Sequence, residues 1–242
     1  MEFIRSEAAR KRYWARSSFG WPRIKTAEPN HAHLALAVLE QRGTISGCIT
    51  QNVDRLHLKA GSHNVLEIHG SLYEVVCLDC GRRESRESVQ DRILELNSRW
   101  FTEFRHDPQW RNSDGETEPE DAPDGDAELT AGEAAGFSIP SCTRCGGILK
   151  PDVVFFGDSV PKPKVTKAWE MLEQARSLVV LGSSLTVYSG FRFVDRAVKE
   201  GKPVAIINDG HTRGDPVATI KVETRLSVFF SQPLFSSSGD TF

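Results

Sequence analysis

The chain has 242 residues, 39% of them hydrophobic, and a formal net charge of −3. That length and apolar content suffice for one good core with a small subdomain beside it. The charge balance leaves no broad basic field for nucleic acid, and no stretch approaches the length of a membrane-spanning helix.

The first 23 residues are rich in Arg and aromatic side chains. They resemble a targeting peptide only weakly, because Glu2 and Glu7 interrupt the basic pattern and Tyr13-Trp14 reads as packing material. Residues 30–42 predict a helix: Asn30 is its N-cap, Leu34, Val38 and Leu39 share an apolar face, and Pro29 and Gly43 punctuate its ends. Residues 45–50 (ISGCIT) predict a short buried strand that runs into the polar cluster Gln51-Asn52-Val53-Asp54. Residues 65–69 (VLEIH) form a second short apolar run, closed by Gly70. Between 84 and 106, Val89, Ile93, Leu94 and Leu96 fall at helical spacing. Residues 113–128 are acidic and rich in Pro and Gly, the composition of a flexible surface loop.

Leu149 to Asp158 predicts an apolar strand bounded by Pro and Gly. Helix and strand then alternate: a helix over 167–175, a strand over 177–181, the turn Gly182-Ser183-Ser184, a helix over 191–199, and a strand over 204–207 that ends at Asn208-Asp209-Gly210. Uninterrupted apolar strands in this rhythm predict an α/β doubly wound parallel sheet.

Cys77, Cys80, Cys142 and Cys145 form two Cys-x-x-Cys pairs, each followed by glycine. Two such loops brought together make the tetrahedral sulfur cage that zinc prefers. A cage of four thiolates has no open coordination position, so this zinc is structural and a zinc-dependent hydrolase is disfavoured. Disulfides are the runner-up, with no secretory signal to support them. The fifth cysteine, Cys48, lies in an apolar run and reads as an inert buried thiol.

Chemistry is therefore sought elsewhere. In an open parallel sheet, ligands sit beyond the carboxyl ends of the strands. Three polar clusters occupy such ends: 51–54, 182–184 and 208–210. Small residues at 182–184 admit a phosphate close to the backbone, and a helix N-terminus there would add partial positive charge. His69, at the end of an apolar strand, is the candidate general base, since an imidazole changes charge near neutral pH. His57 is the next candidate.

Taken together, these blocks resemble the sirtuin family. They are Thr50-Gln51-Asn52-Val53-Asp54, Leu66 to Gly70, both cysteine pairs, Leu149 to Gly157, Gly182 to Leu185, and the strand ending at Asn208. Features at Arg10–Arg16, Gly20–Pro22, Cys77–Gly81 and Val187–Gly190 are similar to the class II, mitochondrial branch. The resemblance implies an NAD-dependent protein-lysine deacylase with structural zinc, possible ADP-ribosyl transfer and lipoamidase activity, acylated-lysine protein substrates, a monomeric state and a mitochondrial matrix location. By the same resemblance His69 acts as base on the ribose hydroxyls, while Asn52 and Asp54 order the nicotinamide ribose with Gln51 and Val53 beside them. Gly182, Ser183 and Ser184 hold phosphate and adenosine groups, and Asn208, Asp209 and Gly210 contact the adenosine ribose. Val153, Val154, Phe155 and Phe156 pair as a strand with the substrate backbone, and Phe155, Phe156 and Val187 line the acyl-lysine channel.

The family opens with a strand and a Gly-Ala-Gly loop that this sequence does not contain, and the residues after about 225 depart from its pattern. The expectation is a Rossmann-like parallel sheet truncated at its N-terminal strand, with a small zinc-ribbon subdomain. Residues 1–72 and 151–225 would form the NAD-binding domain, 73–150 the zinc-binding subdomain, and 226–242 a divergent tail. With a central strand missing, weak or absent NAD binding is expected. A non-catalytic zinc-bearing module that binds acylated peptides or partner proteins is the alternative.

Overall fold

A computed structural model describes residues 2–105, 134 and 136–231. The acidic stretch 113–128 and the end of the chain beyond 231 lie outside the described residues. In chain order the elements are α1 (Glu2–Arg5), α2 (Glu7–Thr26), α3 (His31–Gln41), β1 (Cys48–Thr50), α4 (Leu56–Lys59), β2 (Val65–Glu67), β3 (Gly70–Cys77), β4 (Arg83–Ser85), α5 (Arg86–Leu96) and α6 (Ser98–Arg105). There follow β5 (Leu149–Val153), α7 (Lys162–Gln174), β6 (Leu178–Leu181), α8 (Tyr188–Lys199), β7 (Val204–Asn208), a 3₁₀ turn (Asp215–Val217), β8 (Ile220–Glu223) and α9 (Leu226–Phe230).

These elements form two compact units, one of Met1–Ala27 with Gly70–Asp158, the other of Glu28–His69 with Ser159–Phe242. The division differs from the expected one at the N-terminus: residues 1–27 pack with the cysteine-bearing segment. Packing in that unit is the cause. Trp14 is fully buried, shares a cluster with Phe3, Val75, Ile93 and Leu149, and donates its indole N–H to the Leu149 carbonyl at 3.3 Å. Arg86 is buried as well, its guanidinium stacked 5.4 Å from the Trp14 ring and 5.2 Å from Trp21. Burial pulls its pKa down to about 10. The Ser17 carbonyl accepts from it at 3.1 Å, so α2 is pinned through polar as well as apolar contacts.

The sheet of this first unit is antiparallel, in the order β4-β3-β5. Pro151 sits in its edge strand β5, where a missing N–H donor is tolerated. Gly70 opens β3 with φ of +92°, and a Cβ there would lie 1.9 Å from the Asp152 carbonyl oxygen. Only glycine fits. The helix predicted over 84–106 is broken into α5 and α6 at Asn97, whose side chain accepts from the Ser138 N–H at 2.6 Å and donates to the Ser138 carbonyl at 2.9 Å. Val89 and Ile93 are fully buried, one helical turn apart, while Leu94 and Leu96 face solvent. The predicted strand from Leu149 ends at Val153, so Val154, Phe155 and Phe156 lie past it.

The second unit holds two parallel sheets: β1 with β2, and β6-β7-β8. Both are of the expected Rossmann-like kind, but the expected single sheet is divided, because no described strand joins β1 to β6. Helix α3 starts as predicted: Asn30 accepts from Ala32 N–H and His33 N–H, and the His33 ring accepts from the Asn30 N–H in return. Its buried residues are Ala32, Ala35 and Ala37, with Leu34 exposed. Helix α7 begins earlier than predicted, with Pro163 in a first turn that needs no N–H donor. The core packs Ile68, Val180, Val194, Val204 and Ile206 against Leu172 and Phe193. Residues 226–230, expected to belong to a divergent tail, form α9. Its Phe230 is buried against Ala32 and Ala35, with Leu181, Leu226 and Phe229 alongside.

Candidate dinucleotide site and cysteine cluster

Thr50, the last residue of β1, accepts the Asn52 N–H through its hydroxyl at 3.1 Å and so turns the chain out of the sheet. Asp54 then accepts the Leu56 N–H at 3.0 Å and starts α4. This turn presents Gln51, Asn52 and Asp54 beyond the strand end, where Asn52 is exposed and Asp54 half-buried. Asp54 is thus at least partly a local cap.

His69 lies two residues past β2. Its Nδ1 is 3.2 Å from the Gln51 carbonyl oxygen and its Nε2 is 3.0 Å from the Ser189 hydroxyl. A carbonyl can only accept, so Nδ1 carries the proton and Nε2 accepts from Ser189. Burial lowers the His69 pKa. The Gln51 carbonyl opposes that, while the nearby charges of Arg192 and Lys164 reinforce it. The imidazole is therefore neutral at neutral pH, with its basic lone pair on Nε2.

The Gln51 side chain donates to the Ser183 hydroxyl at 3.2 Å, joining the first polar cluster to the second. It lies 3.0 Å from where a Cβ of Gly190 would stand, so a larger residue at 190 would displace it. The Ser184 carbonyl accepts the Arg213 N–H at 2.9 Å, which brings in the loop after β7. At that end Asn208 is buried and donates to the carbonyls of Asp209 (3.1 Å) and Gly210 (3.2 Å), and Asp209 pairs with Arg225 at 3.1 Å. Residues 51–54, 69, 182–184 and 208–210 thus converge on the carboxyl ends of β1, β2, β6 and β7, the place where a parallel sheet takes its ligand. The turn at 182–184 does not lead straight into a helix; α8 starts at Tyr188, three residues earlier than predicted, after Leu185 at φ +56°. A phosphate at Gly182 would have no helix N-terminus directly beneath it. Ser189 was not singled out as a site residue. Only a histidine from a distant strand end gives it a role, and a serine in a first helical turn carries no such signal.

The residues present fit the ribose ends of NAD: an imidazole whose basic Nε2 is met only by the Ser189 hydroxyl among the described residues, an exposed Asn52 amide, and a Gly-Ser-Ser turn without bulky side chains.

Of the residues assigned to substrate, Val153 ends the edge strand β5 and Phe156 is 94% exposed. Phe155 turns into the aromatic cluster of its own unit, 5.2 Å from both Phe3 and Tyr13, with the Lys150 ammonium 4.5 Å over its ring. Val154 is half-buried, and Val187 is 45% exposed just before α8.

The Sγ atoms of Cys77, Cys80, Cys142 and Cys145 all lie within 4.8 Å of one another. Cys77 to Cys145 is 3.5 Å and Cys80 to Cys142 is 3.7 Å. These separations exceed a disulfide by far and match the edge of a tetrahedron of Zn–S bonds of about 2.3 Å. The Arg144 and Cys145 N–H groups pull the Cys142 thiol down to about 7, while the Gly147 N–H is outweighed at Cys145 by the neighbouring thiols, which push it up: one thiol of the cluster holds a charge and its neighbours share it. Donor set and geometry fit a closed zinc centre. Cys48 is pushed up to about 11 by burial, as an inert thiol should be.

Comparison with known proteins agrees with this geometry. A model described as the Sir2 family matches residues 2–189. NAD-dependent protein deacetylase 2 of Bradyrhizobium diazoefficiens is 46% identical over 223 residues, covering 92% of this chain and 77% of that protein. The bovine NAD-dependent protein lipoamidase sirtuin-4, mitochondrial, is also 46% identical, over 224 residues, covering 93% of this chain and 67% of that protein. Among solved structures, that of Sir2Tm bound to a propionylated peptide superposes with a TM-score of 0.71 at 29% identity, covering 95% of this chain and 78% of the other. With its strand-end histidine, its four-cysteine cluster and these likenesses, the chain belongs to the Sir2 family, the sirtuins.

Proposed function

We propose that this chain serves the NAD-dependent removal of acyl groups from protein lysine, with weak affinity for NAD. The observation that carries the reading is the His69 imidazole, locked by Gln51 into the tautomer whose Nε2 is a base at the strand ends. When bound, NAD supplies an electrophilic ribose carbon through loss of nicotinamide. His69 Nε2 would take the proton of a ribose hydroxyl, after which the Ser189 hydroxyl can turn to another acceptor. Gln51, Asn52 and Asp54 would orient that ribose, and Asn208 to Gly210 the adenosine ribose. The open edge of β5 at Val153 supports docking of the substrate backbone as an added strand, with Phe156 as an exposed apolar contact; in the second unit Val187 is an exposed apolar candidate for the acyl chain. Phe155 would shape that edge from behind.

Weak NAD affinity is supported by the Gly182 turn, which lacks a helix N-terminus directly beneath it. Lipoyl-type substrates, ADP-ribosyl transfer and a mitochondrial matrix location are supported by likeness to relatives such as the bovine protein; the bacterial deacetylase is equally similar. A monomer acting on acylated-lysine proteins, without nucleic acid, suits the near-neutral charge of −3. No described helix is long and apolar enough to cross a membrane.

Calorimetric titration of NAD in the presence of an acetyl-lysine peptide, with nicotinamide release followed in parallel, tests the reading. Slow release abolished by His69→Ala, in a variant with an unchanged circular dichroism spectrum, supports it. Peptide binding that ignores NAD and survives His69→Ala, with no nicotinamide released, would establish the non-catalytic module instead.

A further inference from the structure

Ser189 and His69 are arranged for a second kind of proton transfer. The serine hydroxyl donates to His69 Nε2 at 3.0 Å, and the Gln51 carbonyl fixes the ring by accepting from Nδ1 at 3.2 Å. A hydroxyl, an imidazole whose lone pair meets it, and a third group that sets the tautomer are the working parts of nucleophilic acyl transfer. All three belong to the second unit.

The surroundings of Ser189 suit a carbonyl oxygen that gains negative charge. Ser189 is the second residue of the twelve-residue helix α8, whose N-cap Val187 makes no side-chain capping bond. The Tyr188 and Ser189 N–H groups have no partner among the described residues. At a helix N-terminus such groups carry partial positive charge. The Gln51 side-chain amide gives one proton to the Ser183 hydroxyl at 3.2 Å and has a second with no described partner. That amide lies 3.0 Å from where a Cβ of Gly190 would stand, beside the residue that follows the serine. A nucleophile's own N–H together with a side-chain amide is a recurrent pair of oxyanion donors. Arg192 Nε donates to the Ser189 carbonyl at 3.1 Å, which steadies the first turn and adds a positive charge beside it.

The orienting group sets the substrate class. A neutral carbonyl holds the imidazole tautomer but does not stabilise the imidazolium as a carboxylate does. The charges of Arg192 and Lys164 disfavour that cation further. Such a base suits a reactive carbonyl with a weakly basic leaving group, an aryl ester or a thioester, and not an amide. Val187 and Tyr188, both exposed beside the serine, offer apolar contact for a short acyl chain.

We propose that Ser189 is the nucleophile of an NAD-independent activity that transfers short apolar acyl groups from activated esters to water. Ser189 Oγ bonds to the acyl carbon as its proton passes to His69 Nε2. The bond from that carbon to the leaving oxygen or sulfur then breaks, and Nε2 hands the proton to the leaving group. Water, deprotonated by the same nitrogen, cleaves the acyl-serine and restores the hydroxyl. Nothing is oxidised or reduced, and no cofactor is consumed.

The probe is p-nitrophenyl acetate, added to the full chain without NAD. Nitrophenolate release should turn over at least about tenfold faster than in Ser189→Ala or His69→Ala, each variant checked for an unchanged circular dichroism spectrum. The rate should fall as pH drops through one ionisation below the ordinary histidine value, where His69 takes up its proton. Gln51→Ala keeps the backbone carbonyl, loses the amide, and should slow release by about tenfold or more. Acid-quenched chain of unaltered sequence, mapped by mass spectrometry, should carry acetyl on Ser189, and Ser189→Cys should regain an acetylated side chain at that position. The mapping decides the matter even where a variant misfolds. Equal rates in the unaltered chain and Ser189→Ala, or acetyl confined to lysines and the other cysteines, would overturn the proposal. Because NAD is left out, this result and the fate of the deacylase reading are independent.

Discussion

His69 Nε2 and the Ser189 hydroxyl meet at 3.0 Å across 120 residues of sequence. With Gln51 holding Nδ1, the hydroxyl must donate to the ring, and that bond favours the neutral imidazole. Replacing Ser189 with alanine is expected to move the His69 pKa upward, toward its ordinary value. The C–H resonances of the ring, titrated by NMR, report it; a pKa that stays or falls would contradict the assigned tautomer.

Three histidines of the second unit, His33, His57 and His69, are held below the ordinary histidine value, by burial first in each case. Asp54 opposes the shift at His33 and His57; the two rings meet edge to face with centroids 4.7 Å apart, and the His33 charge lowers His57 further. The unfolded chain takes up these protons near pH 6.5, the folded chain only at lower pH. Stability is then complete above about pH 6.5 and falls as pH drops through the lowered values. Urea midpoints measured from pH 7.5 to 5.5 should decline, and less steeply in His57→Gln. A midpoint that rises on acidification would reverse the sign.

The cysteine cluster predicts one zinc per chain. Chelation should unfold the antiparallel unit that contains Trp14, Trp21 and Trp100, seen as a red shift in tryptophan emission, and Cys142→Ser should lower the metal content measured by mass spectrometry. A metal-free chain with native emission would refute a structural ion.

Gly70→Ala forces a Cβ to within 1.9 Å of the Asp152 oxygen at a φ of +92°. The combined strain and clash should cost about 2–4 kcal/mol or more, read as a lower denaturation midpoint. A loss under about 1 kcal/mol would mean the start of β3 relaxes freely.

Phe230 is 6% exposed at the end of α9. Phe230→Ala should destabilise the chain by about 3–5 kcal/mol, the cost of an aromatic side chain lost from a core. A change within about 0.5 kcal/mol would make residues 226–230 the dispensable tail expected from their sequence.

Much of the site was legible beforehand because its signals are local. The two Cys-x-x-Cys pairs specify a metal cage by spacing alone, and the apolar runs ending in 51–54, 182–184 and 208–210 mark strand ends. Asn30 as a cap was readable for the same reason, since its partners are the next three residues. Ser189 was not readable, because its partner is a distant ring. The break at Asn97 was missed because Ser138, which satisfies its side chain, lies 41 residues away. Phe155, expected toward substrate, turns toward Phe3 and Tyr13, a choice made by aromatic packing within its unit.

By itself the sequence determined the element types, the cysteine cluster and the strand ends at which the candidate residues lie, since periodicity and spacing act over a few residues. Tertiary structure alone decided which unit claims the first 27 residues and which serine faces His69. Those outcomes depend on backbone pairing and burial between segments more than a hundred residues apart, where no local pattern can state the partner.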